Sequence, residues 1–174
     1  GWYDRAADVL RLGETAVLPR AELPLLGDHN VANALAAMLV AEQLGGTAER
    51  IAAGLRTFRS IAHRVEPIGE VDGVLWINDS KSTNITSTEV AIAALDRPFV
   101  LLLGGRHKGE PYTRLAPLLT RCRGVVAYGE AGEIIRHDLA GAAPIVAGGD
   151  FADVLRQARG LAQAGDAVLL SPAC

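Results

Sequence analysis

The sequence predicts an α/β chain in which a doubly wound, mostly parallel sheet from about Ser60 to Cys174 is preceded by helices of a separate unit. Three observations carry this. From Val65 onward, short and nearly continuous apolar runs alternate with amphipathic stretches of helical period, the pattern of strands covered by helices on both faces. Before that point the alternation is absent, and apolar residues recur at helical spacing between Asn30 and Phe58. No internal repeat, low-complexity tract or long flexible linker interrupts the chain.

The elements follow in order. After a polar, proline-punctuated opening, Asn30 to Leu44 places Val31, Ala34, Leu35, Met38, Leu39 and Ala41 at spacings suited to a buried helix, which Gly45-Gly46 ends. Thr47, with Glu49 close behind, starts a second helix through about Phe58, with Ile51, Leu55 and Phe58 on one face. The change of period near Ser60 marks a boundary, giving domains of residues 1–59 and 60–174. Val65 to Val71 and Val74 to Ile77 then form a hairpin around Asp72-Gly73. Strands are expected at Phe99 to Leu103, Val125 to Tyr128, Pro144 to Ala147 and Ala167 to Leu170. Helices fit Ile85 to Leu95, Tyr112 to Leu119, Glu130 to Leu139 and Phe151 to Ala164.

Composition narrows the function. With 174 residues, 49% hydrophobic and 21% charged, the chain can bury a substantial core. A net charge of −3 and no basic run argue against nucleic acid as a partner. The longest apolar run, Ala34 to Ala41, is far short of the ~20 residues a membrane-spanning helix needs, and no signal segment opens the chain. Two cysteines, Cys122 and Cys174, form neither a C-x-x-C pair nor a disulfide framework, which suits a cytoplasmic setting. The four histidines are dispersed, so no metal site is expected within the chain. A sequence that opens mid-element at Gly1-Trp2-Tyr3 and stops just after an apolar strand reads as a piece of something longer.

The chemistry concentrates in Asn78-Asp79-Ser80-Lys81-Ser82-Thr83-Asn84, at the carboxyl end of one expected strand and the start of the next helix. Open α/β sheets bind ligands at that edge, and helix-start N–H groups favour anions there. Of 17 Lys plus Arg, 15 are Arg; the lysines are Lys81 and Lys108. A capped helix, with Ser82 or Thr83 as cap and Asp79 offsetting the dipole, accounts for one or two of these residues but not for so long a polar run. Gly104-Gly105-Arg106-His107-Lys108-Gly109 is either a loop able to hold a carboxylate or phosphate, or a solvated turn. His63-Arg64 suits either a functional pair or an ordinary salt bridge, and Asn30 and Asn33 suit capping as well as binding. Neither G-x-G-x-x-G nor G-x-x-x-x-G-K-[ST] occurs.

Together these segments resemble the bacterial Mur ligases along nearly the whole chain. Gly27 to Ala37 is similar to the family's G-x-H-N-x-x-N-x-x-A-A segment at the end of its central ATPase domain, and His63-Arg64 to the opening of its carboxyl-terminal domain. Asn78 to Asn84 resembles N-D-S-K-[AS]-T-N, the form characteristic of the D-glutamate-adding branch. Leu101 to Gly109 resembles the L-L-G-G-x-x-K-G loop, and Val168 to Cys174 the L-L-S-P-A-C segment.

The resemblance implies a Rossmann-like carboxyl-terminal domain in a three-domain enzyme of peptidoglycan synthesis that uses ATP and magnesium. ATP phosphorylates the carboxylate of UDP-N-acetylmuramoyl-L-alanine, and the amine of D-glutamate attacks the acyl phosphate. Carried onto this sequence, Asn30 and Asn33 contact the adenine region, Arg64 the phosphates or ribose across the domain hinge, and Asp79 the ribose. Lys81, Thr83 and Lys108 hold D-glutamate, with Lys81 nearest the bond being made. The family's P-loop, magnesium ligands, carbamylated lysine and UDP-binding domain would precede Gly1, and further glutamate-pocket residues would follow Cys174, so the chain alone is expected to be inactive. Two alternatives stand beside this reading: a non-catalytic nucleotide-binding module, which needs no amino-acid pocket, and a Mur ligase with a different amino-acid acceptor.

Overall fold

The computed structural model describes residues 1–174, which form two compact units, Gly1–Ser60 and Ile61–Cys174. No helix is long and apolar enough to cross a membrane.

The first unit opens with an antiparallel meander, β1 (Trp2–Asp4), β2 (Val9–Leu12) and β3 (Thr15–Pro19). The sequence reading gave this opening no strands. Its period-2 signal is carried by only a few residues: Leu10 and Leu12 point into the core while Arg11 between them pairs with Asp4 at 3.0 Å. Two helices follow, α1 (Asp28–Gln43) and α2 (Ala48–Thr57). Val31, Ala34 and Met38 of α1 are buried with Leu10, Leu18, Ile51 and Ala52. Of the residues expected on its buried face, Leu35 and Ala41 are partly buried against the same core, and the expectation is corrected at Leu39, which lies exposed. Thr47 does cap α2, its hydroxyl accepting from Arg50 N at 3.4 Å. Phe58 ends α2 in extended backbone and is exposed, not on the buried face.

The second unit is a six-stranded sheet in the order β4 (Glu66–Val71), β5 (Val74–Asn78), β9 (Ala167–Leu170), β6 (Phe99–Gly104), β7 (Cys122–Tyr128) and β8 (Ile145–Ala147). Only the β4–β5 hairpin is antiparallel; the remaining pairs are parallel. Asp72 and Gly73 both take positive φ at its turn, as a tight Asp-Gly hairpin requires. The central strand β6 is buried along its whole length because its five leading residues, Phe99 to Leu103, are apolar on both faces. Val100, Leu102, Val126 and Val168 turn one face toward Val154 and Ala158 of α5 (Phe151–Leu161). Helices α3 (Ile85–Ala93) and α4 (Gly132–Asp138) complete the layers and are shorter at their ends than expected. The stretch expected as a regular helix from Tyr112 is a 3₁₀ helix through Arg121, with Pro117 inside it. Proline has no N–H to give and crowds the carbonyl four residues back, which disfavours a regular α-helix there.

Strand order fixes the functional geometry. The chain runs from β5 through α3 to β6, moves outward through β7 and β8, and returns as β9 between β5 and β6. That reversal brings the carboxyl ends of three adjacent strands to one edge, with Asn78 opposite Leu170 and Leu170 opposite Leu102. Such a switch point is where open sheets form a ligand crevice.

Candidate functional site

The three motif-bearing segments leave the sheet side by side at this edge. Asn78 closes β5, and its side chain does two things: Oδ1 accepts from Ser80 N at 3.0 Å, and Nδ2 lies 2.9 Å from His63 Nδ1. Asp79 N donates to Leu170 O at 2.8 Å, extending the sheet by one bond, and Ser82 N donates to Asp79 O at 2.9 Å to close the turn. Asn84 then caps α3 by accepting from Ser87 N at 2.8 Å. The expected caps, Ser82 or Thr83, are corrected: Ser82 is turned inward and buried, while Thr83 faces solvent one residue before the cap.

Asp79 is 5% exposed. One carboxylate oxygen accepts from Val65 N at 3.1 Å and the other from Ser171 Oγ at 2.8 Å. Burial raises its pKa above the ordinary value of 3.8; the hydrogen bonds from Ser171, Val65 and Ser82 and the charge of Arg64 pull the other way without prevailing. Behind it lie three buried hydroxyls. Ser171 Oγ is 2.9 Å from Thr88 Oγ1, which is 2.8 Å from Ser82 Oγ.

His63 and Val65 both have positive φ, at 67° and 41°. For a β-branched residue this conformation is strained, costing on the order of 1–3 kcal/mol, and it persists because neighbours hold it. Glu66 accepts from His63 N at 2.8 Å, Lys81 N donates to His63 O at 3.1 Å, and Asp79 accepts from Val65 N. The backbone on either side of Arg64 is thus tied to the Asn78 to Asn84 turn.

The glycine-rich loop after β6 closes the other side. Lys108 Nζ donates to Thr83 O at 3.4 Å, so Lys108 and Thr83 are neighbours, and Lys81 is exposed on the same turn. Gly104 and Gly105 are packed against the rest of the chain. A Cβ on Gly104 would stand 2.1 Å from Tyr128 O, and one on Gly105 2.3 Å from Cys174 Sγ. Their tight approach is to the chain itself: Gly104 N donates to Pro172 O and Gly105 N to Tyr128 O, at 3.3 and 3.2 Å. Within the loop, His107 packs its ring 5.7 Å from that of Tyr112 and leaves Nδ1 buried without a partner.

Of the residues singled out from sequence, Asp79, Lys81, Thr83 and Lys108 gather at this edge beside the backbone of His63-Arg64. Asn30 and Asn33 belong to the first unit, on the first two turns of α1, where Asn30 Nδ2 donates to Leu26 O and Asn33 Nδ2 to Asn30 Oδ1. Thr88 and Ser171 were missed as site residues. A hydroxyl among the buried positions Ile85, Ala91 and Ile92 of α3 was the available signal for Thr88. No group of three or more His, Cys, Asp or Glu side chains is placed to hold a metal ion.

Known proteins resemble this chain in sequence and in fold. The model of the glutamate ligase domain of Mur ligases matches residues 63–174. The UDP-N-acetylmuramoylalanine--D-glutamate ligases of Salinibacter ruber and Acidobacterium capsulatum are each 43% identical, over 92% and 91% of this chain and 35% and 34% of their own. The chain therefore spans about a third of the length of these relatives. Among solved structures, MurF from Acinetobacter baumannii superposes with a TM-score of 0.68 at 23% identity, over 87% of this chain and 36% of that one. A domain match across most of the chain, relatives aligned over nine tenths of it, and the shared sheet architecture together establish that the chain belongs to the Mur ligase family.

Proposed function

We propose that the chain is the carboxyl-terminal portion of a cytoplasmic, ATP-dependent ligase that joins D-glutamate to UDP-N-acetylmuramoyl-L-alanine in peptidoglycan precursor synthesis. Residues 1–59 are then the tail of the central ATP-binding domain and 60–174 the carboxyl-terminal domain. The observation that carries this reading is the Asn78 to Asn84 turn, in its D-glutamate-type sequence, lying against the loop that bears Lys108.

The chemistry asks for such a surface. A carboxylate is a poor electrophile, so transfer of the ATP γ-phosphoryl group onto its oxygen supplies a leaving group. The incoming amine attacks the carbonyl carbon, phosphate departs with the C–O electrons, and the amine loses its proton. Lys108 and Thr83 hold the carboxylates of D-glutamate, because a dicarboxylate leaving water needs cationic and hydrogen-bonding partners. Lys81 faces the charge that builds up as the amide forms. Asn30 and Asn33 serve the adenine, and Arg64 with Asp79 the ribose and phosphates. The residues present do not form a magnesium site.

The test is product formation by the complete ligase given ATP, UDP-N-acetylmuramoyl-L-alanine and, in turn, D-glutamate, L-alanine, L-lysine or meso-diaminopimelate. Amide product with D-glutamate alone is expected. Product with another amino acid overturns the acceptor assignment, and nucleotide binding without product in any arm favours a sensing module. The 174-residue chain alone is expected to release no phosphate from ATP; robust turnover by it refutes the partition of the active site.

A further inference from the structure

Five buried polar side chains occur in this chain, and four of them, Asp79, Ser82, Thr88 and Ser171, are joined in one hydrogen-bonded chain. The residues come from three places: the turn after β5, the first turns of α3, and the segment after β9. Each hydroxyl has one proton to give. Ser171 Oγ donates to Asp79 Oδ2 at 2.8 Å and lies 2.9 Å from Thr88 Oγ1; Thr88 Oγ1 donates to Ser171 O at 3.4 Å and lies 2.8 Å from Ser82 Oγ, and Ser82 also hydrogen-bonds the Asp79 carboxylate. Ser171 and Ser82 thus bond the carboxylate directly, and Thr88 bridges these two hydroxyls from behind. A buried, mutually hydrogen-bonded network of this kind restricts the carboxylate to the orientation that satisfies it. In that orientation Asp79 Oδ1 accepts from Val65 N, which holds Val65 at its strained φ of 41°.

We propose that Ser82, Thr88 and Ser171 are positioning residues of the ligase: they orient Asp79, and through the Val65 amide they fix the backbone that presents Arg64. None of the three need touch a substrate. The inference rests on the nucleotide-side role given above to Arg64 and Asp79, and it adds residues to that role rather than to the glutamate pocket. Purely structural hydroxyls would lower stability and affect both substrates alike; positioning residues of this kind act on one substrate.

The experiment is steady-state kinetics of the complete ligase, varying ATP and D-glutamate in turn, for Thr88→Val, Thr88→Ser, Ser171→Ala and Arg64→Ala. Loss of a hydrogen bond in a chain ending on a charged group is expected to raise the ATP KM about tenfold in Thr88→Val and Ser171→Ala, with the D-glutamate KM unchanged. Thr88→Ser keeps the hydroxyl and is expected to restore the wild-type ATP KM. Equal effects on both substrates, or none, with Arg64→Ala still impaired for ATP, overturn the inference alone. An Arg64→Ala enzyme with an unaltered ATP KM overturns the nucleotide-side reading, and the inference falls with it. Should a variant of the complete enzyme fail to fold, amide exchange in the 174-residue chain decides: Ser171→Ala is expected to speed exchange at Val65 at least tenfold while Leu102 and Val126 keep their protection. Unchanged protection at Val65 overturns the proposal.

Discussion

Replacing Gly104 by alanine tests whether the loop that carries Lys108 is clamped or merely flexible. The new Cβ would sit 2.1 Å from Tyr128 O and 2.8 Å from Tyr128 C, both backbone atoms that no side-chain rotation can move away. Gly104 also has a φ of 154°, in a region that only glycine adopts readily, at roughly 1–3 kcal/mol for another residue. To make room, the end of β6 must part from β7 at the Gly104–Tyr128 pair, which loosens the bonds from Gly104 N to Pro172 and Gly105 N to Tyr128, each contributing roughly 1 kcal/mol. The total is about 3–5 kcal/mol. For a unit of this size, each 1 kcal/mol corresponds to about 4 °C in Tm, so a fall of about 12–20 °C is expected. Gly109 is the internal control: its φ of 89° strains an alanine, but nothing lies within 4 Å of the added carbon, and about 1 kcal/mol is expected. Urea unfolding followed by Trp76 fluorescence, in a Trp2→Phe background, reports the second unit. Equal destabilisation of the two variants, or a Gly104→Ala cost below about 1 kcal/mol, refutes the clamp.

Three further outcomes follow from the same geometry. In the complete ligase, Lys108→Ala is expected to raise the D-glutamate KM about ten- to a hundredfold with little change in the ATP KM, the loss of one charge-assisted hydrogen bond, while Lys81→Ala also lowers kcat; a Lys108→Ala enzyme weakened for ATP alone would make the loop a nucleotide loop. Because burial raises the pKa of Asp79, the folded state binds its proton more tightly than the unfolded state does, so this group's contribution to stability falls as pH rises from the ordinary value of 3.8 through the folded pKa. The stability of wild type relative to Asp79→Asn is therefore expected to be greatest in acid and to decline toward neutral pH, and a difference that grows with pH in urea titrations contradicts it. Burial also pushes the Cys122 thiol up to about 11 from 9.0, which cuts its thiolate fraction at pH 8 about a hundredfold. Iodoacetamide labelling followed by peptide mass mapping is expected to leave Cys122 unmodified until denaturant is added, and prompt native labelling would show that it is accessible.

What was legible in the sequence was whatever a short window states fully. The run Phe99 to Leu103 reads as a strand covered on both faces, and Asp72-Gly73 between apolar runs as a tight hairpin, because the chemistry that decides each lies within a few residues. The meander before Pro19 was illegible for the opposite reason: strands of three to five residues carry too few alternations to stand out, and Leu10 and Leu12 find their core only in α1 and α2. Leu39 misled in the other direction, since helical spacing states which residues share a face but not whether every one of them is covered.

The candidate site divides along the same line. Asp79, Lys81 and Thr83 stood out because they are crowded into one turn, whereas Thr88 and Ser171 lie 83 residues apart and meet only because β9 is inserted between β5 and β6. Strand order is a property of the whole domain, so a polar residue whose partner arrives with the last strand looks from sequence like an isolated hydroxyl in an apolar helix. Later strands explain the glycines as well. Gly104 and Gly105 approach Tyr128 at the end of β7 and Cys174 beyond β9, so their lack of side chains is required by two later strands and not by the loop itself. A loop bounded in this way delivers Lys108 to Thr83 without its own sequence needing to be rigid, and the contrast between Gly104→Ala and Gly109→Ala measures how much of that delivery comes from its neighbours.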